Sequence, residues 1–186
     1  ENPAKLDDFA VAPYSALMAA SQAMLADDIL DAYALSAHQG LLDVGGGEGA
    51  FVTAAGARAP HLRLGVFDLP AVAARARERL AARGFDARAQ VHGGDFFADP
   101  LPRGYDIISL VRIVHDHDDD AVLTLLRAVR AALPRGGTLL IAEPMSGAAG
   151  SEAVADEYFG FYLLAMRSGR PRTPKELMRF SREAGF

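Results

Sequence analysis

With 186 residues, 51% of them hydrophobic, and a formal net charge of -5, the chain is sized for one sizeable core and not for two domains. Its basic residues are scattered and form no stripe that could follow phosphates, which argues against nucleic acid as a partner. Cysteine is absent, which excludes disulfides, thiolate metal sites and cysteine nucleophiles and suggests a reducing, cytoplasmic setting, and no apolar run approaches the roughly 20 residues of a spanning helix.

Residues 1–36 read as an amino-terminal helical segment, because Leu17, Met18, Met24, Leu25, Ile29 and Leu30 recur at helical spacing between Pro3 and about Leu35. Residues 37–186 read as one further domain. A compact apolar strand from Gly40 to Val44 runs into a glycine cluster, and a helix is predicted from about Glu48 to Arg58. The unit repeats with a strand from Leu62 to Phe67, Asp68 at its end, and a helix from Pro70 to about Arg83, proline suiting the first helical turn. Short strands follow around Ala87 to Val91 and Tyr105 to Leu110, then a helix from about Asp119 to Leu133 and a strand from Thr138 to Ala142. Pro134-Arg135-Gly136-Gly137 is a helix stop and a tight turn, and two last helices are predicted at about Ser151 to Arg167 and Thr173 to Ala184. Strands alternating with helices at this spacing need crossover connections. The expected fold class is therefore α/β, a mostly parallel Rossmann-like sheet with helices on both faces. Because it opens on Glu1 and stops at Gly185-Phe186, where a helix would hand over to a strand, the chain reads as a piece of a longer protein.

Ligands of such open sheets sit beyond the carboxyl ends of the strands. That rule selects Asp43 to Gly49, Asp68, Gly94 to Phe97, and His115 to Asp120. Gly45, Gly47 and Gly49 permit positive φ and a close approach to bare backbone, and the helix that follows offers unpaired N–H groups. Asp68 stands where an acid can hold both ribose hydroxyls of a nucleotide; the plain alternative is a glycine turn that serves only packing. Gly45, Gly47 and Ala50 also satisfy the dinucleotide fingerprint, so an NAD-dependent dehydrogenase is a rival reading. The charges of Asp43 and Glu48 would repel a pyrophosphate, however, and favour a ligand carrying an ammonium and a sulfonium. Asp95 and Phe96 add an acceptor and an aromatic face for an adenine, while Phe97 reads as core.

Five motifs in this order, Asp43-Val44-Gly45-Gly46-Gly47, Phe67-Asp68-Leu69-Pro70, Gly94-Asp95-Phe96-Phe97, Val114-His115-Asp116 and Gly169-Arg170-Pro171-Arg172-Thr173-Pro174, resemble the plant-type O-methyltransferase family, which has bacterial members. Within it the likeness is to purple-bacterial carotenoid O-methyltransferases, which methylate the 1-hydroxyl of carotenoids on the way to spheroidene and spirilloxanthin. It is carried by Tyr14 to Met18, Val111 to Asp118 and Tyr158 to Met166. The resemblance implies S-adenosylmethionine as cofactor, His115 as general base, and a homodimer formed through an amino-terminal winged-helix domain outside this chain. The candidate cofactor residues are Asp43, Gly45, Gly47, Asp68, Leu69, Asp95, Phe96 and Arg112. Two departures stand out: His117 occupies the place where plant members usually have tryptophan, and Pro171 the place of a second acid that flanks their histidine. Glu143 then matches the remaining carboxylate partner of His115, with Asp116 as the other option.

Histidine suits proton removal during methyl transfer, and a carboxylate on its second nitrogen would fix the tautomer. The run His115-Asp116-His117-Asp118-Asp119-Asp120 also permits a mixed metal site or, for Asp118 to Asp120, a loop whose aspartates cap and charge-match the next helix; the latter is the preferred reading and no metal is assigned. His117 reads as structural, and Glu143 has the alternative of accepting only backbone N–H bonds. Tyr14, Met18, Phe159, Tyr162 and Met166 are candidates to line a greasy pocket for a hydrophobic hydroxyl acceptor, although at helical spacing such residues also read as core. A polyene substrate would call for peripheral contact with the inner face of a membrane without a spanning helix. An O-methyltransferase of polyketide or other aromatic secondary metabolism is the alternative with the same machinery.

Overall fold

The computed structural model describes residues 25–147 and 168–186. Residues 25–32 are helical (α1), followed by β1 (Gly40–Val44), α2 (Ala50–Arg58), β2 (Arg63–Asp68), α3 (Pro70–Ala82), β3 (Ala89–Gly93), β4 (Ile107–Val111), a 3₁₀ turn (Val114–Asp116), α4 (Asp119–Ala132), β5 (Thr138–Ala142) and α5 (Pro174–Glu183). The predicted helix at 151–167 and most of the amino-terminal segment lie outside the described residues.

All five strands pair in parallel, in the order β3-β2-β1-β4-β5. The chain walks outward from β1 to β3, then returns to the other side of β1 for β4 and β5. Strand order therefore reverses between β1 and β4, and a crevice opens beyond their carboxyl ends. Alternation along the strands sends Leu41, Ile107 and Val111 to one face and Leu42, Val44, Ile108 and Leu110 to the other. The first face is covered by α1, α2 and α3 through Ile29, Leu30, Phe51, Val52 and Leu80, the second by α4 and α5 through Leu125, Leu126, Val129, Leu177 and Phe180. Each such side chain fully withdrawn from water contributes about 1.5–3 kcal/mol, so the two apolar layers fix the strand register that places the loops.

Several boundaries differ from the sequence reading for local reasons. α2 begins at Ala50 because Gly49, its N-cap, is left-handed at φ 79°. β3 begins at Ala89, since the N–H groups of Arg88 and Ala89 are both turned onto the Phe85 carbonyl. β4 begins at Ile107, one residue after Asp106, whose backbone already pairs with Gly40 and Thr138 and whose carboxylate takes the N–H groups of Gln39 and Gly40. The capping reading of Asp118 is corrected: it occupies the N-cap position of α4, but its carboxylate makes no capping bond and accepts instead from the Gly169 N–H at 3.0 Å. The charge-matching half of that reading holds: Asp119 and Asp120 stand in the first turn of α4, and Asp119 also pairs with Arg170 and Arg172.

Candidate active site

The glycine loop leaves β1 with φ of 70° at Gly45 and 57° at Gly47, values open to glycine. The two have different reasons for lacking a side chain. A Cβ at Gly45 would overlap Ile113 of the β4 loop, whereas one at Gly47 would meet nothing within 4 Å. Gly45 is thus a packing glycine, and Gly47 presents bare backbone to open space. Its N–H donates to Asp68 Oδ2 at 2.8 Å, and the Leu69 N–H donates to Asp68 Oδ1 at 2.7 Å, so the strand-end carboxylate is oriented from two loops at once. Burial pushes the Asp68 carboxyl above its ordinary range, against the opposing pull of those two N–H groups. Leu69 beside it is 55% exposed, an apolar side chain left at the mouth of the crevice.

Asp43 sits beneath the loop at 1% exposure. Ser109, its register partner on β4, donates to Asp43 Oδ1 at 2.6 Å, and a Cβ at Gly46 would stand 2.7 Å from Oδ2. Burial above all, with some repulsion from Asp68, pushes Asp43 up to about 7. Ser109 was not singled out from sequence; only the β1–β4 register, across 66 residues, brings it there.

Beyond β3, Asp95 is exposed and its Oδ1 accepts from the Phe97 N–H at 2.8 Å, turning the chain so that Phe96 lies half-buried. Phe97 is 42% exposed, so its reading as core is corrected. Phe96, Phe97 and His117 form a three-ring cluster with centroid separations of 4.6, 5.6 and 5.1 Å. His117 therefore joins the loop after β3 to the loop after β4, and its burial lowers its pKa.

At the end of β4, Arg112 adopts φ 57°, a left-handed conformation costly for a side-chain-bearing residue. Its N–H still pairs with the Ala142 carbonyl at 2.8 Å, and the bend sends the chain back over the glycine loop, Ile113 against Gly45. His115, 4% exposed, follows in the 3₁₀ turn. Its Nδ1 is hydrogen-bonded to Glu143 Oε2, while Glu143 Oε1 accepts the N–H groups of Ile113 at 2.7 Å and Val114 at 2.6 Å. The two sequence readings of Glu143, backbone acceptor and histidine partner, thus hold together. Asp116 Oδ1 lies 3.3 Å from His115 Nε2, is buried without a hydrogen bond among the described residues, and burial raises its pKa.

Asp43, Gly45, Gly47, Asp68, Leu69, Asp95, Phe96, Arg112, His115 and Glu143 all stand at or just beyond the carboxyl ends of the strands. Tyr14, Met18, Phe159, Tyr162 and Met166 lie outside the described residues. Chemically, the crevice combines bare backbone, an oriented acid, a second buried acid and, on the neighbouring loop, an imidazole with one carboxylate hydrogen-bonded to Nδ1 and another 3.3 Å from Nε2. A family model described as an O-methyltransferase domain matches residues 4–186. The chain belongs to the O-methyltransferase family. It is 47% identical over 180 residues to demethylspheroidene O-methyltransferase of Cereibacter sphaeroides, covering 97% of this chain and 48% of that protein. The chain thus spans about half the length of such O-methyltransferase relatives. Among solved structures, the mitomycin 7-O-methyltransferase MmcR superposes with a TM-score of 0.87 at 29% identity, over 96% of this chain and 52% of that one. Human N-acetylserotonin methyltransferase in complex with SAM superposes with a TM-score of 0.83 at 26% identity, over 93% and 49%. Among the described residues no helix is long and apolar enough to cross a membrane.

Proposed function

We propose that this chain is the catalytic part, residues 37–186, of an S-adenosylmethionine-dependent O-methyltransferase whose general base is His115. The reading is carried by one observation above the rest: Glu143 holds His115 Nδ1 while the same carboxylate ties down the turn that bears the histidine. With Nδ1–H committed to Glu143, the basic lone pair of the neutral ring is on Nε2.

The bound cofactor supplies a methyl group on a positively charged sulfur. Gly47 would give it close passage along the backbone, and the Asp68 carboxylate, pre-oriented by the Gly47 and Leu69 N–H groups, would accept from the ribose hydroxyls. Leu69 and Phe96 would flank the adenine, and Asp95 would accept from its amino group. A cationic ligand would draw Asp43, pushed up to about 7 by burial, into its carboxylate form, as a pyrophosphate would not; this disfavours the dehydrogenase reading. Transfer is an in-line displacement, so the acceptor oxygen has to be held against the methyl as its proton leaves. His115 Nε2 takes that proton, and Asp116, 3.3 Å away, supports the imidazolium that results. For an alcohol, a far weaker acid than a phenol of pKa about 10, the proton leaves late, and positioning contributes more than basicity.

The similarity to the Cereibacter enzyme supports a carotenoid hydroxyl as acceptor. We infer the 1-hydroxyl of a spheroidene- or spirilloxanthin-type precursor, which as a polyene would call for peripheral contact of the longer, homodimeric protein with the inner membrane face. Incubation of the full-length enzyme with labelled methyl donor, a hydroxycarotenoid panel and a phenolic panel tests this. Labelled methoxycarotenoid is expected; label only in phenols would move the acceptor to aromatic metabolites, and label in neither would remove the methyltransferase reading.

A further inference from the structure

The 3₁₀ turn that carries His115 is poorly held by its own backbone: its two internal bonds, Asp116 N–H to the Ile113 carbonyl and His117 N–H to the Val114 carbonyl, are 3.3 and 3.4 Å long. Glu143 grips the turn from the donor side. The acceptor side is held by the segment 168–173, whose Arg172 lies 58 residues beyond Val114 in the chain. Arg172, 2% exposed, donates from Nη1 to the Val114 carbonyl at 2.8 Å and from Nη2 to the His117 carbonyl at 2.7 Å, bracketing His115 and Asp116. Ser168 Oγ donates to the Asp116 carbonyl at 3.2 Å. Gly169, at φ 79°, rests directly on the turn, where a Cβ would overlap the His115 carbonyl oxygen and stand 2.6 Å from the Asp116 carbonyl carbon.

The guanidinium is itself fixed. Asp119 Oδ1 accepts from its Nε at 3.1 Å and its Nη2 at 2.7 Å, and the Phe180 ring lies under it at 5.6 Å. Thr173 and Glu176 close a reciprocal cap at the start of α5, whose Leu177 and Phe180 are anchored in the core beneath α4. A planar fork is suited to this task because it reaches two carbonyls at once, which a lysine ammonium on a flexible stem does not do in one geometry.

We propose that Arg172, with Gly169, is a positioning device for the base: the strap 168–173 clamps the carbonyl side of the His115 turn and so fixes where Nε2 stands relative to the methyl acceptor. The proposal rests on the reading of His115 as the base. The contacts of Arg172 and Gly169 run to the His115 turn and the start of α4, so the effect falls on turnover and not on cofactor binding. A displacement of about 1 Å at a reacting group costs on the order of 10²-fold in rate.

The test uses the full-length enzyme with ¹⁵N-labelled histidine and the variants Arg172→Lys, Gly169→Ala and His115→Ala. Arg172→Lys is expected to lower kcat about 10²-fold while S-adenosylhomocysteine affinity stays within about threefold, and to shift or broaden the His115 Nδ1–H proton resonance that marks the bond to Glu143. Gly169→Ala, which leaves every charge in place, is expected to do the same and decides the matter if Arg172→Lys does not fold. A folded variant with wild-type kcat and an unmoved resonance overturns the clamp. So does a loss of kcat and cofactor affinity in equal proportion, which is what general loosening of the fold would give. Wild-type turnover in His115→Ala overturns the base assignment instead, and the resonance then still judges the clamp.

Discussion

Replacing Glu143 with glutamine changes one oxygen to an NH₂ and little else in shape, yet it should disable the site. Glu143 Oε1 takes two N–H groups, at 2.7 and 2.6 Å, and Oε2 takes the His115 Nδ1 proton. The amide oxygen of Glu143→Gln will stay on the two backbone donors, because moving it would leave both of them unpaired in a buried place. Its NH₂ then faces Nδ1, which can no longer carry a proton there. The ring inverts its tautomer and places hydrogen on Nε2, the atom required to accept one. An acid-to-amide change at the equivalent place of a serine-protease triad lowers kcat by about 10⁴ through wrong tautomer selection, and a loss of about 10³ to 10⁴, or 4 to 5 kcal/mol in barrier, is expected here. Exchanging charge-assisted bonds for neutral ones should also lower stability by about 1–2 kcal/mol. The assay is single-turnover methyl transfer from labelled donor by the full-length enzyme, with S-adenosylhomocysteine calorimetry alongside. Turnover within threefold of wild type in a folded variant would refute the reasoning, since the tautomer argument leaves no room for it.

Other perturbations address the cofactor loop. Asp68→Asn sets an NH₂ against the Gly47 or Leu69 N–H and removes the charge offered to the ribose; S-adenosylhomocysteine affinity should fall about 10- to 100-fold by calorimetry, and an unchanged isotherm contradicts the ribose assignment. Gly47→Ala places its methyl in open space at φ 57°, so the protein should fold at a cost of about 1–2 kcal/mol while losing cofactor affinity at least tenfold; equal affinity would mean that no ligand passes there. Asp43, raised by burial from 3.8 to about 7, keeps its proton in the folded protein between those values while the unfolded chain releases it. Its contribution to stability therefore falls as pH rises from about 4 through about 7, by on the order of 4 kcal/mol at the limit. Asp43→Asn should flatten the melting-temperature profile across pH 5–8 and raise its alkaline end, and an unaltered slope contradicts the assignment. A cationic ligand favours the Asp43 carboxylate, so cofactor binding at pH 6.5 should release protons, read as a buffer-dependent binding enthalpy; none released would count against contact between the two charges.

The parallel sheet and the loop positions were legible because they depend on local pattern: apolar runs of strand length, glycines at a strand exit, and Asp68 one strand further on. Strand starts were less legible. At Ala89 the start is set by the Phe85 carbonyl, which draws the N–H groups of Arg88 and Ala89, and periodicity carries no trace of that. The site shows the same division. His115 stands out as a histidine at a strand exit, and Glu143 could be placed at the end of the fifth strand. The Ser109 contact with Asp43 follows from register between strands far apart in sequence, and the Arg172 contacts with the Val114 and His117 carbonyls span 58 and 55 residues. The acidic run after His115 misled for a related reason. Aspartates before a helix cap it by default, but here two buried or half-buried arginines and a glycine N–H compete for them and win.

The most direct measurement is the crystal structure of the full-length protein with S-adenosylhomocysteine. The account predicts both ribose hydroxyls within about 3 Å of the Asp68 carboxylate, the chain of the ligand passing Gly47, and the thioether sulfur facing the side of the crevice where His115 Nε2 stands. A nucleotide bound elsewhere, or a His115 ring turned away from that sulfur while Glu143 holds another partner, would contradict it.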